Sequence, residues 1–237
     1  MISNRFWHAS MRHSAPLRNL PRRYRLLAFD WDGTLVDSTA LITQAIQQAC
    51  RDVGLTAPAD AAARHVIGLG PHEAIRHVAP LLDPARHAGF SERFRVHYLA
   101  GDAAIPLFDG VREMLEELDQ RGFLLSIATG KTRAGLARAL AQYGIAHRFV
   151  ASRCADEGFP KPNPDMLLAL MERVGVDPAQ TLMIGDTSHD LELARNAGAS
   201  ALAVAYGAHS PDALARLSPV ATVHSVSELR SWLAANA

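Results

Sequence analysis

The chain has 237 residues, 49% of them apolar, and no formal net charge, with 24 basic against 24 acidic side chains; it is long enough for one large domain or a core with a modest insertion. No uninterrupted apolar run approaches the roughly 18 residues of a membrane span, and no charged start followed by an apolar stretch and a small-residue cleavage site marks a secretory signal, so a soluble cytoplasmic protein is expected. The two cysteines, Cys50 and Cys154, are too few for a disulfide framework and have no paired metal-ligand spacing.

The charge is unevenly placed. Residues 1–29 carry six arginines (Arg5, Arg12, Arg18, Arg22, Arg23 and Arg25) and no acid, which leaves 18 basic against 24 acidic side chains in the rest. Without helical periodicity of their own, residues 1–22 read as a flexible basic arm. A nucleic-acid role for it would show as salt-sensitive binding lost on deleting the arm; no such partner is expected.

Leu26 to Phe29 is a continuous apolar run, as suits a strand covered on both faces, and it ends abruptly in Asp30-Trp31-Asp32-Gly33-Thr34. In an open α/β sheet ligands gather where strands end, so Asp30 stands where chemistry is expected, and Gly33 lets the chain bend after it. Apolar positions Leu41, Ile42, Ala45, Ile46, Ala49 and Val53 then recur at helical spacing up to Gly54. Residues 55–104 continue in short helical patterns broken by Pro58, Gly68, Gly70, Pro71, Pro80, Pro84 and Gly89, without a convincing strand. An inserted all-helical cap over residues 39–103 is expected, between core segments 23–38 and 104–237.

From Pro106 strands and helices alternate, the pattern of a parallel sheet, so the fold expected is α/β, a Rossmann-like core with a helical cap. Asp109 is placed to cap a helix carrying Val111, Met114, Leu115 and Leu118; Phe123 to Ala128 is the next strand, ending at Thr129-Gly130. The Gly130-Lys131 turn should open the helix through Leu136 and Leu140. Phe149 to Ser152 reads as a short strand, and Lys161-Pro162-Asn163-Pro164 leads into a helix with Asn163 as cap and Pro164 first. Thr181 to Ile184 is a buried strand ending at Gly185-Asp186, before a helix with Asp190. Ala201 to Ala205 and Ala221 to Val223 close the sheet, and Val226, Leu229, Trp232 and Leu233 stripe the last helix.

Three strands thus end in polar residues of complementary kinds: Asp30 and Asp32, then Thr129, then Asp186. Two carboxylates facing one small space repel unless a cation lies between them, and hard oxygen ligands suit Mg²⁺. A strand-end aspartate can attack phosphorus while a second acid handles the leaving group's proton. Lys161 supplies a fixed ammonium, Thr129 a hydroxyl and the turn at Gly130 free amides, the parts that phosphoryl transfer needs. Asp186 can hold the cation, and Asp190, one helical turn on, can face the same place.

Asp30-x-Asp32-Gly33-Thr34, Thr129-Gly130, Lys161-Pro162-x-Pro164 and Gly185-Asp186-x-x-x-Asp190, in that order, resemble the four motifs of the haloacid dehalogenase-like hydrolase superfamily over residues 26 to about 207. The helical insertion after the first motif is similar to that of phosphoglycolate phosphatases, pyrophosphatase-type enzymes and β-phosphoglucomutases. The resemblance implies Asp30 as nucleophile and metal ligand, and Asp32 as general acid/base whose main-chain carbonyl also binds Mg²⁺. It implies Thr129, Gly130 and Lys161 as phosphate-binding, with Lys161 also catalytic, and Asp186 and Asp190 at the metal. The expected activity is Mg²⁺-dependent hydrolysis of a small phosphorylated metabolite through an aspartyl phosphate, with a β-phosphoglucomutase-like phosphotransferase or pyrophosphatase as alternatives.

Asp32 argues against a dehalogenase, which has no alkoxide to protonate. Gly130-Lys131 departs from the Asn that phosphoglycolate phosphatases commonly place after the Thr, which weakens a claim for 2-phosphoglycolate. In the cap, Arg64, His65, His72, Arg76 and His77 are candidate contacts to an anionic substrate. The gap of five between His72 and His77 does not fit a metalloprotease zinc pair. The nearest non-enzyme reading, a phosphate-binding or phosphoreceiver module, also uses a strand-end Asp, a Thr and a Lys; the helical insertion after Asp30 and the position of Asp186 after the lysine oppose it.

Overall fold

Among residues 22–237, which the computed structural model describes, six strands form one parallel sheet. They are β1 (Leu26–Phe29), β2 (Leu124–Thr129), β3 (Ala151–Cys154), β4 (Thr181–Gly185), β5 (Ser200–Val204) and β6 (Thr222–Val223), in spatial order β3-β2-β1-β4-β5-β6. The expected basic arm lies, apart from Arg22, outside the described residues. β1 is central, with Leu26 to Phe29 in register with Leu124 to Ile127 of β2 on one side and Thr181 to Ile184 of β4 on the other.

Strand side chains alternate between two layers. Leu27 and Phe29, with Leu125, Ile127, Leu182 and Ile184, pack against α5 (Val111–Gln120), α6 (Arg133–Tyr143) and α10 (Val226–Asn236). Leu26, Ala28 and Met183 face α7 (Asp165–Val174) and α8 (Ser188–Asn196) through Met166, Leu167, Leu170, Leu193 and Ala194. All four β1 side chains are fully buried. Each large apolar side chain so buried contributes about 1.5–3 kcal/mol, and the run is continuous because both faces are covered.

Between β1 and β2 the chain forms α1 (Thr39–Asp52), α2 (Asp60–His65), α3 (Pro71–Val78) and α4 (His87–Asp102). α1 lies along α4, and Ile42, Ala45, Ile46 and Ala49 of α1 meet Ile75 and Val78 of α3 and Phe90 and Tyr98 of α4 in a core of their own. A short helix, α9 (Pro211–Ala215), precedes β6.

Some boundaries differ from the sequence reading. α5 starts at Val111 with Gly110, in the left-handed region, as its N-cap, so Asp109 sits one residue too early to cap it. The Gly130-Lys131 turn does not open α6; Thr132 does, its hydroxyl accepting the Gly135 N–H at 3.2 Å. β3 is shifted to Ala151–Cys154, because the ladder pairs those residues with Ser126–Thr129 and leaves Val150 44% exposed. Pro164 takes the N-cap of α7, and Asn163 contributes through Oδ1, which accepts the Asp165 N–H at 3.0 Å.

Candidate active site

Asp30, Thr129 and Asp186 stand at the carboxyl ends of β1, β2 and β4, three neighbours in the sheet. The Asp30 N–H still donates to the Ile184 carbonyl at 2.9 Å, which fixes Asp30 beside the end of β4. Gly33, at φ 80°, turns the chain there, and a Cβ on it would fall 2.2 Å from Asp186 Oδ2. Only glycine lets the loop cross so close to that carboxylate. Thr34, at the same turn, donates its hydroxyl to Asp186 Oδ1 at 2.8 Å, and the Ala208 N–H donates to Oδ2 at 2.7 Å.

Lys161 is fully buried, and Nζ donates to Asp30 Oδ1 at 2.7 Å and to Asp190 Oδ1 at 2.6 Å. Asp190 Oδ2 accepts the Thr187 hydroxyl at 2.6 Å and the Thr187 N–H at 3.0 Å, closing a capping box at the start of α8. Both Asp190 oxygens are therefore engaged within the protein. Asp30 Oδ2, by contrast, is buried and has no hydrogen-bond partner among the described residues.

Oxygens of Asp30, Asp186 and Asp190 lie within 4.8 Å of one another. Burial, opposed by Lys161 and reinforced by Asp190, raises the Asp30 carboxyl to about 7. Burial, then Asp30 and Asp190, holds Asp186 well above the usual carboxylate range. Burial alone would lower Lys161, but Asp190 and Asp30 outweigh it and keep the ammonium above its ordinary pKa. Three buried acids beside one buried base cannot all ionise without a further positive charge, and the orphaned Asp30 oxygen points to where that charge would sit. An all-oxygen donor set of this kind fits a hard divalent cation.

Asp32 faces away from Lys161. Its Oδ1 accepts the Ser38 hydroxyl at 2.6 Å and pairs with Lys131 Nζ at 3.0 Å. Lys131 Nζ also donates to Tyr98 Oη at 2.9 Å and sits 4.7 Å from the centre of that ring, linking the sheet edge to α4. The Lys131 N–H donates to Thr129 Oγ1 at 3.2 Å.

The helical insertion closes directly on this edge. A Cβ on Gly130 would fall 2.6 Å from the Gly68 carbonyl oxygen and 2.7 Å from that of Leu69. The His65 carbonyl accepts from Nε2 of His189, at 2.7 Å, and of His209, at 3.1 Å. His209 Nδ1 accepts the Ser188 N–H at 3.0 Å, which assigns its proton to Nε2. Burial, then neighbouring His189, pushes the His209 imidazole down to about 4. A cavity of about 470 Å³ opens from Asp32, Gly130 and Lys131 into the insertion. Arg64, His65, His72, Arg76 and His77, expected as substrate contacts, are not among its lining residues; Ile42, Ile46, Ile75, Phe90 and Phe94 are.

Lys131, Tyr98, His189 and His209 escaped the sequence reading. Lys131 carried a signal, standing next to the Thr129-Gly130 motif; the others are joined only by the tertiary fold.

A family model for "Haloacid dehalogenase-like hydrolase" matches residues 27–204. The chain is 36% identical over 210 residues to "Probable phosphatase IndB" of Dickeya dadantii, covering 86% of this chain and 91% of that one. It is 34% identical over 215 residues to the "Phosphoglycolate phosphatase" of Vibrio vulnificus strain CMCP6, covering 86% and 94% respectively. The crystal structure of a predicted phosphoglycolate phosphatase from Haemophilus somnus superposes with a TM-score of 0.77 at 25% identity, over 89% of this chain and 98% of that one. With the motifs on three neighbouring strand ends and the family match spanning most of its length, the chain belongs to the haloacid dehalogenase-like hydrolase family.

Proposed function

We propose that the protein is a Mg²⁺-dependent phosphatase that hydrolyses a small phosphate monoester through an aspartyl phosphate on Asp30, within a core of residues 23–38 and 104–237 under a mobile cap of residues 39–103. The observation that carries this reading is the state of Asp30. Lys161 holds Oδ1 at 2.7 Å, and Oδ2 is buried without a partner at the end of the central strand. A carboxylate oxygen kept dry and unpaired is a poised nucleophile or cation ligand, and Lys161 favours its ionised form against burial.

In the first step Asp30 attacks phosphorus, the ester P–O bond breaks, and the departing alkoxide takes the proton of the Asp32 carboxylic acid. In the second, Asp32, now ionised, takes a proton from water as the water attacks the same phosphorus. The bond from phosphorus to Asp30 breaks and inorganic phosphate leaves. Ser38 and Lys131 hold Asp32 toward the cap side, where a leaving group departs. Lys161, the Thr129 hydroxyl and the amides at Gly130 orient the phosphoryl oxygens. Asp30, Asp186 and the Asp32 main-chain carbonyl would hold Mg²⁺, which supplies charge neutralisation for those oxygens. Asp190, which accepts from Lys161 and Thr187, serves this site by fixing Lys161 and stands within reach of the same cation. Cap closure over the strand ends excludes bulk water.

The test is release of inorganic phosphate from a panel of monoesters and pyrophosphate, with Mg²⁺ or with chelator. Asp30→Asn is expected to lower turnover by at least about 10⁴-fold with the fold intact. Mg²⁺ should also raise the unfolding midpoint of the native chain, and less so that of Asp186→Asn. Metal-independent turnover, or turnover that survives Asp30→Asn, would overturn the reading.

A further inference from the structure

The cavity above Asp32 says what kind of leaving group the cap accepts. Its walls are Ile42 and Ile46 of α1, Ile67, Ile75 of α3, and Phe90 and Phe94 of α4. At about 470 Å³ it falls in the range, roughly 300–1,000 Å³, of sites that enclose drug-sized molecules, far more room than glycolate fills. Three cations reach the lining, and each already has an acid: Lys131 with Asp32 at 3.0 Å, Arg138 with Asp102 at 3.2 Å, and Arg95 with Glu92 at 2.6 Å. Beyond the Asp32–Lys131 border, a substrate carrying a second negative charge would bring it into an apolar chamber whose two cations, Arg95 and Arg138, are each paired with an acid, and desolvating it there is costly.

We infer that the substrate is a phosphate monoester of an uncharged, largely apolar alcohol, whose carbon body fills the cavity lined by Ile46, Ile75, Phe90 and Phe94 while its ester oxygen faces Asp32. This rests on the phosphatase reading and narrows it. The position of Lys131 fits the same assignment. Its ammonium spans Asp32 and Tyr98 and so marks the border between the polar strand ends and the apolar chamber. Polar recognition ends at that border, and beyond it affinity comes from removing carbon from water.

The experiment pairs turnover with binding. The turnover series runs from methyl to n-hexyl phosphate, alcohols of similar leaving-group acidity, with 2-phosphoglycolate alongside. The binding series uses the matching n-alkylphosphonates, titrated calorimetrically into the native chain with Mg²⁺. Expected is a rise in kcat/KM and in phosphonate affinity of about three- to fourfold per added methylene until the cavity is full. 2-Phosphoglycolate should be at least about tenfold worse than an uncharged ester of the same length. Ala74→Phe, which fills the cavity from α3 and touches no catalytic group, should flatten both series while leaving methyl phosphate turnover unchanged. Turnover that is flat along the series, or best on 2-phosphoglycolate, overturns the inference and leaves the phosphatase reading standing. Rising phosphonate affinity with no turnover of any ester supports the cavity assignment and removes the phosphatase. An unflattened series in Ala74→Phe places the alcohol elsewhere and also overturns the inference.

Discussion

Beneath the site, the strand ends crowd Asp30, Asp186, Asp190 and Lys161 together out of water, and every hydrogen bond there serves to hold a charge in place. Above it, the helices bury Ile46, Ile75, Phe90 and Tyr98 around open space, and the two arginines that reach this space, Arg95 and Arg138, are paired with Glu92 and Asp102. In the proposed reaction the two surfaces answer to different parts of one substrate. A phosphoryl group has the same shape and charge in every monoester, so the strand ends can be rigid. The alcohol varies, so its surface is apolar, non-directional and roomy.

If the strand-end surface depends on charge balance, removing its cation must be felt first. Lys161→Met leaves Asp30 and Asp190 facing each other in a dry site. Loss of one partner from a buried ionic network typically costs about 3–5 kcal/mol, and denaturant unfolding should show a loss of that order. Turnover should fall with it, by about 10²–10³-fold beyond what the unfolded fraction explains. A variant as stable as the native chain would show that the acids are neutral without the lysine.

The joint between the two surfaces comes next. Gly130→Ala would put a methyl where the Gly68 and Leu69 carbonyl oxygens lie, at 2.6 and 2.7 Å. Since those carbonyls belong to the insertion, the relief available is for the cap to lift. The expectation is a fall in kcat of about 10²-fold with little change in unfolding midpoint, because each helical layer keeps its own core. Parallel losses of stability and turnover would instead mean that the two layers unfold as one.

A third prediction concerns His209, which holds the insertion through the His65 carbonyl. Its folded pKa of about 4 lies below the unfolded value of about 6.5, so the unfolded state binds more protons between them. His209 therefore contributes stability above about pH 6.5 that is lost as pH falls toward 4, up to about 2–3 kcal/mol. Asp30 and Asp186, with raised folded values, act in the opposite sense, gaining as pH falls. The clean measurement is the difference between the native and His209→Gln stability curves, which should narrow toward pH 4. A difference independent of pH would show that the imidazole does not change charge on unfolding.

How far the sequence reveals these features follows from how local each one is. Asp30, Thr129 and Asp186 each end a short apolar run, and a strand end is a property of a few adjacent residues. The parallel sheet and the helical insertion were legible for the same reason. The meeting of His65, His189 and His209 was not, because it depends on how the insertion sits on the core. Spacing placed Asp190 near Asp186 but could not show that it also anchors Lys161, which comes from a distant loop. The cap's cavity lining was the least legible part. Charged side chains on its short helices suggested contacts to an anion, yet its concave side is lined by aliphatic and aromatic residues whose convergence only tertiary packing shows.

The smallest effect tests whether the cap's cations are truly occupied. Arg95 lines the cavity, but its guanidinium makes two bonds to Glu92, at 2.8 and 2.6 Å, one helical turn away. Both side chains are more than half exposed, so water screens the pair and little stability rests on it. If the pairing leaves Arg95 no part in substrate binding, Arg95→Ala should change KM for 2-phosphoglycolate and for an uncharged ester alike, by less than about twofold. A selective rise in KM for 2-phosphoglycolate of about tenfold or more would mean that Arg95 leaves Glu92 to meet the second charge. The cap would then read charge after all, and the division between a charged lower surface and a neutral upper one would fail at that residue.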